Sequence, residues 1–481
     1  MKRNKFSLSH YKLFSCDMGE LVPCGLVEVL PGDSIQHATS ALLRCSPLLS
    51  PVMHPVHVRI HHWFVPHRLV WDEFEDFITG GPDGMDASVF PTITFTSTNP
   101  AIGSLGDYMG IPAAPVAGLE VSALPFRAYA MIWNEWYRDQ DLQTELTVDL
   151  TSGPDTTTNT ALQNVCWEKD YFTSSRPWEQ KGPGITIPIG TTAPVVFSET
   201  GATPGTRTLQ RASASASLPL DIVQAGTDGA PILANTDLTG ASAITVNALR
   251  EALALQRYEE ARARYGSRYT EYLRYLGIRS SDARLQRPEY LGGGKKVIQF
   301  SEVLQTAQGS DPVGEMRGHG ISAMRSNRYR RYFEEHGYVL SLMSVRPRTM
   351  YGQQLTRTWN RRIKEDFWQK ELEHIGQQEV LNKEVYGPHA TPNGTFGYQD
   401  RYDEYRRMES SIGGEFRSTM LDFWHMARIF SSAPALNADF VKSVPTERNF
   451  AVPSEDVLYI MANHQIQARR MVANMGTSFI Y

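Results

Sequence analysis

This chain of 481 residues contains only 4 cysteines, which restricts its class. They are too few for a secreted disulfide scaffold, and they lack the CxxC spacing of a zinc site. We expect free, mostly buried thiols in a protein of the reducing cytosol. The cysteines are Cys16, Cys24, Cys45 and Cys166.

The sequence also lacks a long apolar run. No stretch reaches the about 20 apolar residues of a membrane-spanning helix. The basic start MKRNKFSLSH is not followed by the apolar segment of a secretory signal. Insertion into a membrane is therefore not expected.

An excess of charge is absent as well. The 47 basic and 52 acidic residues give a net charge of −5, which argues against a protein whose whole surface binds nucleic acid. Any such contact must be local. A hydrophobic content of 41%, with 9 Trp, 21 Tyr and 20 Phe, is enough for a sizeable core without metals or disulfides.

Motifs of common enzymes are missing. Neither GxSxG nor HExxH occurs. The glycines at 292–294 do not form a phosphate loop, because Glu289 stands at the first glycine position and Lys296 at the hydroxyl position. A flexible turn is expected there instead. The acidic residues between 72 and 76 have no identifiable opposite partner for a glycosidase pair.

Five histidines between residues 54 and 67 raise the possibility of a metal site. On a strand, His57 and His61 lie about 13 Å apart, whereas zinc ligands lie about 2 Å from the metal. The adjacent His61 and His62 point to opposite faces of a strand. We therefore expect hydrogen-bonded core or interface histidines rather than metal ligands.

Alternating side chains predict β-structure. Apolar Val56, Val58 and Ile60 alternate with polar neighbours, as a pleated strand with two different faces requires. Turn signals punctuate residues 1–120 at the spacing of antiparallel strands. Residues 338–345 form a nearly continuous apolar run, which predicts a strand buried on both faces.

Helical spacing appears in three places. Residues 125–137 predict a buried or interface helix with Pro125 in its first turn. A second helix is predicted over 247–266, with Asn247 as the N-cap and Gly266 at its end. A third is predicted from the i, i+4, i+8 positions of large apolar residues, which are Trp359, Ile363 and Phe367.

Aromatic and basic residues supply the candidate contact sites. The tryptophans at 63, 71, 133 and 136 are expected in the core or at subunit contacts, and the acidic residues near Trp71 leave a β-sandwich carbohydrate-binding protein or glycosidase as an alternative. The segment RSNRYRRYF suits phosphates and stacked bases, as in a single-strand-binding protein. The favoured interpretation is that its arginines bridge carboxylates of neighbouring subunits. These arginines are Arg325, Arg328, Arg330 and Arg331.

Residues 150–243 are rich in Thr, Ser, Gly, Pro and Ala and predict an elaborated surface loop. Strands dispersed over the whole chain predict a sandwich whose strands pair at long sequence separation. A jelly roll satisfies this description, and so do other sandwiches.

Separated stretches across most of the chain, in one order, resemble the major capsid proteins of the gokushovirus branch of the Microviridae. The resemblance does not extend to residues 150–245 or to the tail after Asn463. The matching stretches are residues 5–81, 125–142 (PFRAYAMIWNEWYRDQDL), 280–296 (SSDARLQRPEYLGGGKK), 333–347, 374–386 and 396–406.

The resemblance implies a fold and a role. The fold is a mainly β, eight-stranded antiparallel jelly roll in a single domain over residues 1–481, with long insertions that contain helices and loops. The segment 150–243 would be a variable insertion that projects around the threefold axes. The role is that of a non-enzymatic subunit of a T=1 icosahedral shell around circular single-stranded DNA, located in the virion, and in the host cytoplasm during assembly.

The resemblance also implies partners. They are further copies of the chain, the packaged DNA, a small basic DNA-binding protein, pilot or minor virion proteins, and a host cell-surface receptor met by the exposed loops. No cofactor is expected. The N-terminal cations would lie on the inner surface near the genome; they are Lys2, Arg3 and Lys5.

Overall fold

The computed structural model describes residues 3–114, 116–185, 195–199, 209–211, 220–222, 232–236, 246–266, 268–306 and 313–473. The chain divides into two compact units, residues 1–179 with 262–481 and residues 180–261. Lys2, most of the predicted insertion beyond residue 185 and the last residues of the tail lie outside the described residues.

β-Strands are distributed along the whole chain. In chain order they are β1 (Asn4–Ser7), β2 (His10–Cys16), β3 (Leu21–Val29), β4 (Ser34–Cys45), β5 (Val56–Pro66), β6 (Thr92–Phe95), β7 (Leu119–Ser122), β8 (Val195–Glu199), β9 (Leu209–Arg211), β10 (Leu220–Ile222), β11 (Ile232–Thr236), β12 (Glu289–Val297), β13 (Gln299–Leu304), β14 (Met316–Arg325), β15 (Tyr329–Tyr332), β16 (Gly337–Pro347), β17 (Gln377–Leu381), β18 (Thr395–Asp400) and β19 (Leu458–Arg470).

Helices are fewer and mostly short. They are α1 (Phe74–Thr79), α2 (Leu105–Met109), α3 (Leu124–Ile132), α4 (Val246–Tyr265), α5 (Tyr269–Tyr275), α6 (Asn382–Val385) and α7 (Ala438–Val441), and a π-helical turn, Trp133–Tyr137, continues α3. Single 3-10 turns cover His67–Leu69, Arg357–Asn360, Lys364–Asp366, Lys370–Leu372, Asp403–Tyr405, Gly414–Arg417 and Asp422–Trp424.

Two antiparallel sheets form the framework of the larger unit. The large sheet has the order β1, β19, β4, β14, β13, with β2 also paired to β19 and β15 also paired to β4. The small sheet has the order β12, β5, β16, β3. Neighbouring strands such as β4 and β19 come from opposite ends of the chain. The prediction of a mainly β, antiparallel fold with long-range strand pairing is confirmed.

The inner faces of the two sheets share one hydrophobic core. Val58, Ile60 and Met343 of the small sheet belong to the same buried cluster as Leu43 and Ile460 of the large sheet. Each strand contributes alternate residues to this core, as the pleat requires. The alternation predicted for residues 56–60 is confirmed in β5, where Val56, Val58 and Ile60 are buried and the two residues between them are partly exposed.

The second face of the small sheet is covered by α3. Phe126 and Tyr129 of the helix pack in one cluster with Trp63 and Leu342 of the sheet. The Tyr129 hydroxyl donates a hydrogen bond to the Leu21 carbonyl at 2.9 Å. The buried helix predicted over 125–137 and the doubly buried strand predicted over 338–345 are both confirmed.

Three local predictions require correction. The triple glycine is part of strand β12 rather than a flexible turn, and a Cβ on Gly293 would lie 2.2 Å from the Ile60 carbonyl oxygen. Asn247 lies inside α4 and does not cap it, because the helix already includes Val246. The predicted end of α4 is correct, since Gly266 follows its last residue with a left-handed φ of +100°.

The third correction concerns the helix predicted from Trp359, Ile363 and Phe367. This segment forms separate 3-10 turns, and Ile363 is extended at φ −122°. The Asp366 carboxylate accepts the backbone N–H groups of Arg362 at 2.6 Å and Ile363 at 3.0 Å. A side chain that satisfies these donors competes with the helical hydrogen bonds, so the apolar spacing does not produce a helix.

The predicted insertion, residues 150–243, is divided between the two units. Residues up to 179 belong to the larger unit, where Trp167 and Tyr171 are buried. Within the smaller unit, β8 pairs with β11 and β9 pairs with β10, both antiparallel.

All four cysteines are free, and Cys16, Cys24 and Cys45 are buried. Burial raises the pKa of the Cys24 thiol to about 12. Burial also raises the pKa of the Cys16 and Cys45 thiols, so these three thiols are neutral at physiological pH. The prediction of free, mostly buried cysteines is confirmed.

Candidate nucleic-acid interface

The outer face of the large sheet is open to solvent and carries aligned cations. Lys5 on β1 lies opposite Arg469 on β19, which lies opposite Ser34 on β4. Ser34 lies opposite Tyr332 on β15. Directly opposed residues of an antiparallel sheet point to the same side. This row therefore presents Lys5, Arg469 and Tyr332 together on one surface.

Further cations extend the surface along the sheet. Arg330 lies opposite Gln36 on β4. Arg325 lies opposite Ser40 and donates a hydrogen bond to Gln465 at 3.0 Å. Arg44 stands at the other end of β4, next to Tyr459 on β19.

The outward positions of this sheet lack carboxylates. In the described strands β1, β2, β4, β14, β15 and β19, the residues that alternate outward include no Asp or Glu. The chain as a whole has a net charge of −5, so the positive charge of this surface is opposite in sign to that of the whole chain. We call it the basic sheet face; its cations are Arg3, Lys5, Arg44, Arg317, Arg325, Arg330 and Arg469.

Most cations of the basic sheet face are not neutralised within the chain. Arg317 is the exception that forms an ion pair, with Glu315 at 2.7 Å. Across the described part of the chain, no carboxylate lies within 4.0 Å of Lys5, Arg44, Arg330 or Arg469. Unpaired cations on an exposed sheet favour phosphate groups as partners.

Tyrosines lie among these cations. Tyr332 is 52% exposed and Tyr11 is 71% exposed. The Arg3 guanidinium lies 5.5 Å from the centre of the Tyr332 ring and donates to the Ser34 hydroxyl at 3.0 Å. Exposed aromatic faces next to cations are what single-stranded nucleic acid requires for stacking.

The four arginines predicted as a cluster separate in the structure. Arg325 and Arg330 lie on the basic sheet face, and Arg328 is exposed in the connection between β14 and β15. Arg331 follows Arg330 on β15, so its side chain points to the opposite face of the sheet. It forms an ion pair with Glu289 of its own chain at 2.8 Å. A carboxylate of a neighbouring subunit is therefore not needed to pair Arg331.

Tyr329 also differs from the expectation of a base-stacking residue. It is only 8% exposed, and its hydroxyl lies 3.2 Å from His37 Nδ1 in the interior. Of the two tyrosines in RSNRYRRYF, Tyr332 alone is available for stacking.

The four tryptophans predicted as core or subunit-contact residues all form contacts within their own chain. Trp63, Trp71 and Trp133 are at most 4% exposed, and the Trp71 indole donates to the Ser152 hydroxyl at 2.8 Å. Trp136 is partly exposed and stacks with the Arg287 guanidinium at 4.4 Å. The sequence predicted that these residues lie either in the core or at subunit contacts. Trp63, Trp71 and Trp133 belong to the core. Subunit contact through Trp136 stays a prediction.

Histidines join the two sheets beneath the basic sheet face. His464 Nε2 lies 2.8 Å from the Cys24 carbonyl oxygen of the small sheet. His62 Nδ1 lies 2.8 Å from the Ser341 hydroxyl, while His61 Nδ1 on the opposite face lies 2.8 Å from the Tyr137 hydroxyl. Both histidines are hydrogen-bonded as predicted, and His62 lies in the core while His61 is partly buried. Among the described residues, no group of His, Cys, Asp or Glu is arranged to hold a metal ion.

Sequence reasoning missed two cations of the basic sheet face, Arg44 and Arg469. Arg44 and Arg469 lie more than 400 positions apart in the sequence and outside the predicted basic segments. They become neighbours of the predicted cations only through the pairing of β4 with β19. The available signal was the alternation of polar and apolar residues along 34–45 and 458–470.

The comparison with known protein families identifies this two-sheet chain. The family model described as capsid protein (F protein) matches residues 1–479. The chain belongs to this capsid protein family. Its members are structural proteins, so the chain is a capsid protein and not an enzyme, and the glycosidase alternative is not favoured.

Individual capsid proteins are similar over nearly the whole chain. Capsid protein VP1 of Bdellovibrio phage phiMH2K is 36% identical, over 94% of this chain and 90% of the relative. Capsid protein VP1 of Chlamydia phage 1 is 32% identical, over 95% and 92%. Capsid protein VP1 of Spiroplasma virus 4 is 30% identical, over 94% and 90%. The resemblance to capsid proteins of small phages is thus confirmed.

A helix that crosses a lipid bilayer must be both long and apolar. Of the helices within the described residues, none is both long enough and apolar enough to cross it.

Proposed function

We propose that copies of this capsid protein assemble into a small T=1 icosahedral shell that encloses circular single-stranded DNA, with the basic sheet face turned towards the genome. The observation that carries the proposal is an exposed sheet with cations and tyrosines and without outward carboxylates. Phosphates need such cations, and unpaired bases need the aromatic rings. Arg3 and Lys5 are part of this face, which supports a position near the genome for both.

We further propose that the framework is an eight-stranded jelly roll. The order β2, β19, β4, β14 in one sheet and β3, β16, β5, β12 in the other supports it. Among these eight strands, taken in chain order, β2 precedes β3, β4 precedes β5, β12 precedes β14 and β16 precedes β19, and each of these four pairs has one strand in each sheet. Double-sheet folds of this kind recur in viral capsids.

Of the predicted insertion 150–243, the part beyond residue 179 is proposed to project around the threefold axes and to attach the particle to a host receptor. Its composition supports this role, because exposed, loop-rich segments commonly carry recognition. Particles that lack the segment from 186 to 243 should assemble but fail to adsorb to cells. Normal adsorption of such particles would refute the attachment role.

Further partners in the proposed particle are a small basic DNA-binding protein and pilot or minor virion proteins. They follow from the resemblance to capsid proteins of small phages. Assembly is proposed to take place in the host cytoplasm, with the finished protein located in the virion.

Charge reversal on the basic sheet face tests the proposed function. In the double variant Arg330→Glu, Arg469→Glu, we expect closed shells that protect less DNA from nuclease, because these two exposed side chains have no role in the core. The matched control is Arg284→Glu, an exposed arginine outside the sheet. Equal DNA content in the variant, the control and the unsubstituted particle would refute a genome-facing role.

A further inference from the structure

The segment from residue 357 to residue 372, here called the aromatic arm, leaves large apolar side chains uncovered. Trp359 is 69% exposed, Ile363 58%, Phe367 53% and Trp368 50%. The arm consists of 3-10 turns and belongs to none of the sheets. Its own chain therefore does not use the apolar surface that the sequence provides.

The exposed rings of the aromatic arm are nevertheless held in place. The Arg361 guanidinium lies 4.3 Å from the centre of the Tyr405 ring and 5.4 Å from that of Phe367. The Trp368 backbone N–H donates to the Tyr405 hydroxyl at 3.3 Å, and the Gln369 N–H donates to the Tyr402 hydroxyl at 3.2 Å. These contacts fix the arm before a partner arrives, which lowers the entropy lost on binding.

Three of the five cations of the arm form ion pairs within the chain, in contrast to most cations of the basic sheet face. Arg357 Nη1 lies 3.1 Å from Glu384 Oε1, and Arg361 Nη2 lies 3.8 Å from Glu404 Oε1. Lys364 lies 3.6 Å from Glu365. A surface of exposed rings among cations that are mostly neutralised is suited more to another apolar protein surface than to phosphates.

The size of the patch also indicates a protein partner. The exposed rings of the arm are Trp359, Phe367 and Trp368. A Trp or Phe side chain has about 150–250 Å² of surface, so three half-exposed rings present about 400 Å² in total. Exposed apolar patches of a few hundred Å² mark interaction sites. Each partner in a standard interface buries about 800 Å², of which the arm would supply about half.

We propose that the aromatic arm is a contact between neighbouring copies of this capsid protein. This inference rests on the proposed function, because a shell places each copy against others. Aromatic residues and arginine are enriched at the centres of protein interfaces, where they contribute most of the binding energy. An arm that pairs most of its own cations and exposes its rings has this composition.

The first test replaces exposed rings in the full-length chain, as Trp359→Ser and Trp368→Ser. Both variants should unfold at the same temperature as the unsubstituted chain, since these side chains lie outside the described hydrophobic clusters. The yield of closed particles should fall about tenfold or more. The matched control, Ile102→Ser, removes an apolar residue that is 88% exposed elsewhere and should leave the yield unchanged. Yields equal to the control in both Trp variants would overturn the proposal.

A second measurement separates this inference from the proposed function. If the unsubstituted chain formed no closed shell, the proposed function would fail. The role of the arm would then be tested by measuring self-association of the chain by sedimentation. Self-association weakened about tenfold by Trp368→Ser would support the arm as a contact. Self-association that Trp368→Ser does not weaken would overturn the proposal. An unsubstituted chain that does not self-associate would overturn it as well.

Protection of the rings provides a direct readout. Hydroxyl-radical oxidation of Trp359 and Trp368 should be lower in intact particles than in dissociated chains. Equal oxidation in both states would overturn the proposal. Variants that assemble normally but lose adsorption would instead assign the arm to a host receptor, and variants that assemble normally but lose DNA would assign it to the genome.

Discussion

His37 Nε2 lies 3.2 Å from His464 Nδ1, on adjacent strands in the interior of the sandwich. His464 Nε2 faces the Cys24 carbonyl oxygen and must therefore carry the proton, which leaves Nδ1 as an acceptor. His37 Nε2 can then donate to it, while His37 Nδ1 accepts from the Tyr329 hydroxyl at 3.2 Å. Both rings satisfy these contacts in their neutral forms, so an added proton breaks the network.

The histidine network predicts a loss of stability in acid. Burial lowers the pKa of His37 to about 2, that of His62 to about 3 and that of His464 to about 4. The unfolded chain takes up these protons near the ordinary histidine value of about 6.5, and the folded chain does so only at much lower pH. The free energy of unfolding should therefore decrease as the pH falls from ~7 towards ~4.

Denaturant unfolding of the unassembled chain at several pH values checks this prediction. His464→Gln removes one of the titrating groups and should reduce the pH dependence. His319→Gln changes an exposed histidine of the same sheet and should leave it as it is. A pH profile that His464→Gln does not alter would contradict the role assigned to the network.

A buried ion pair that anchors α3 supplies a second prediction. Arg127 Nε donates to Asp155 Oδ2 at 2.8 Å, and both side chains have 0% exposure. Asp155→Asn leaves the buried guanidinium without its counter-charge and should cost about 3–5 kcal/mol in the free energy of unfolding. The control is Asp86→Asn, which changes an exposed carboxylate. A cost similar to that of the control would show that the pair does not stabilise the fold.

A third prediction concerns the glycines of β12. A Cβ at residue 293 would lie 2.2 Å from the Ile60 carbonyl oxygen and 2.9 Å from the Tyr290 hydroxyl. Gly293→Ala should therefore displace β12 from β5 and lower the midpoint of thermal unfolding. Gly413→Ala is a suitable control, because a Cβ there meets nothing within 4 Å. Equal unfolding midpoints for the two variants would contradict the close strand packing described for Gly293.

The basic sheet face predicts how salt affects DNA binding. Binding of a single-stranded oligonucleotide to the unassembled chain should weaken with salt, with a slope of about 0.7 in log units for each phosphate contact. Arg330→Ser with Arg469→Ser should reduce that slope by about 1.4. A slope that is unchanged relative to the control Arg284→Ser would place the nucleic-acid contacts elsewhere.

Local patterns in the sequence predicted the elements with regular burial. The alternation at 56–60 and the apolar run at 338–345 became β5 and β16, because each lies in the centre of the small sheet with defined burial on both faces. The spacing over 125–137 became α3 and its π-helical turn. In these cases the pattern that fixes the element is contained in the element itself.

Predictions failed where the local structure is set by a partner strand far away in the sequence or by a side-chain hydrogen bond. The Asp366 carboxylate replaces helical hydrogen bonds in the aromatic arm, and the three glycines are extended because β5 pairs with them. The basic sheet face depends on strands from both ends of the chain, so its composition could not be assembled before the pairing was known.

The orientation of the large sheet in the assembled particle tests the central claim most directly. A cryo-electron microscopy reconstruction of purified particles should reveal a closed T=1 shell in which Lys5, Arg330 and Arg469 face the interior and contact nucleic-acid density. Particles whose large sheet faces outward, with the genome against a different surface, would contradict the account.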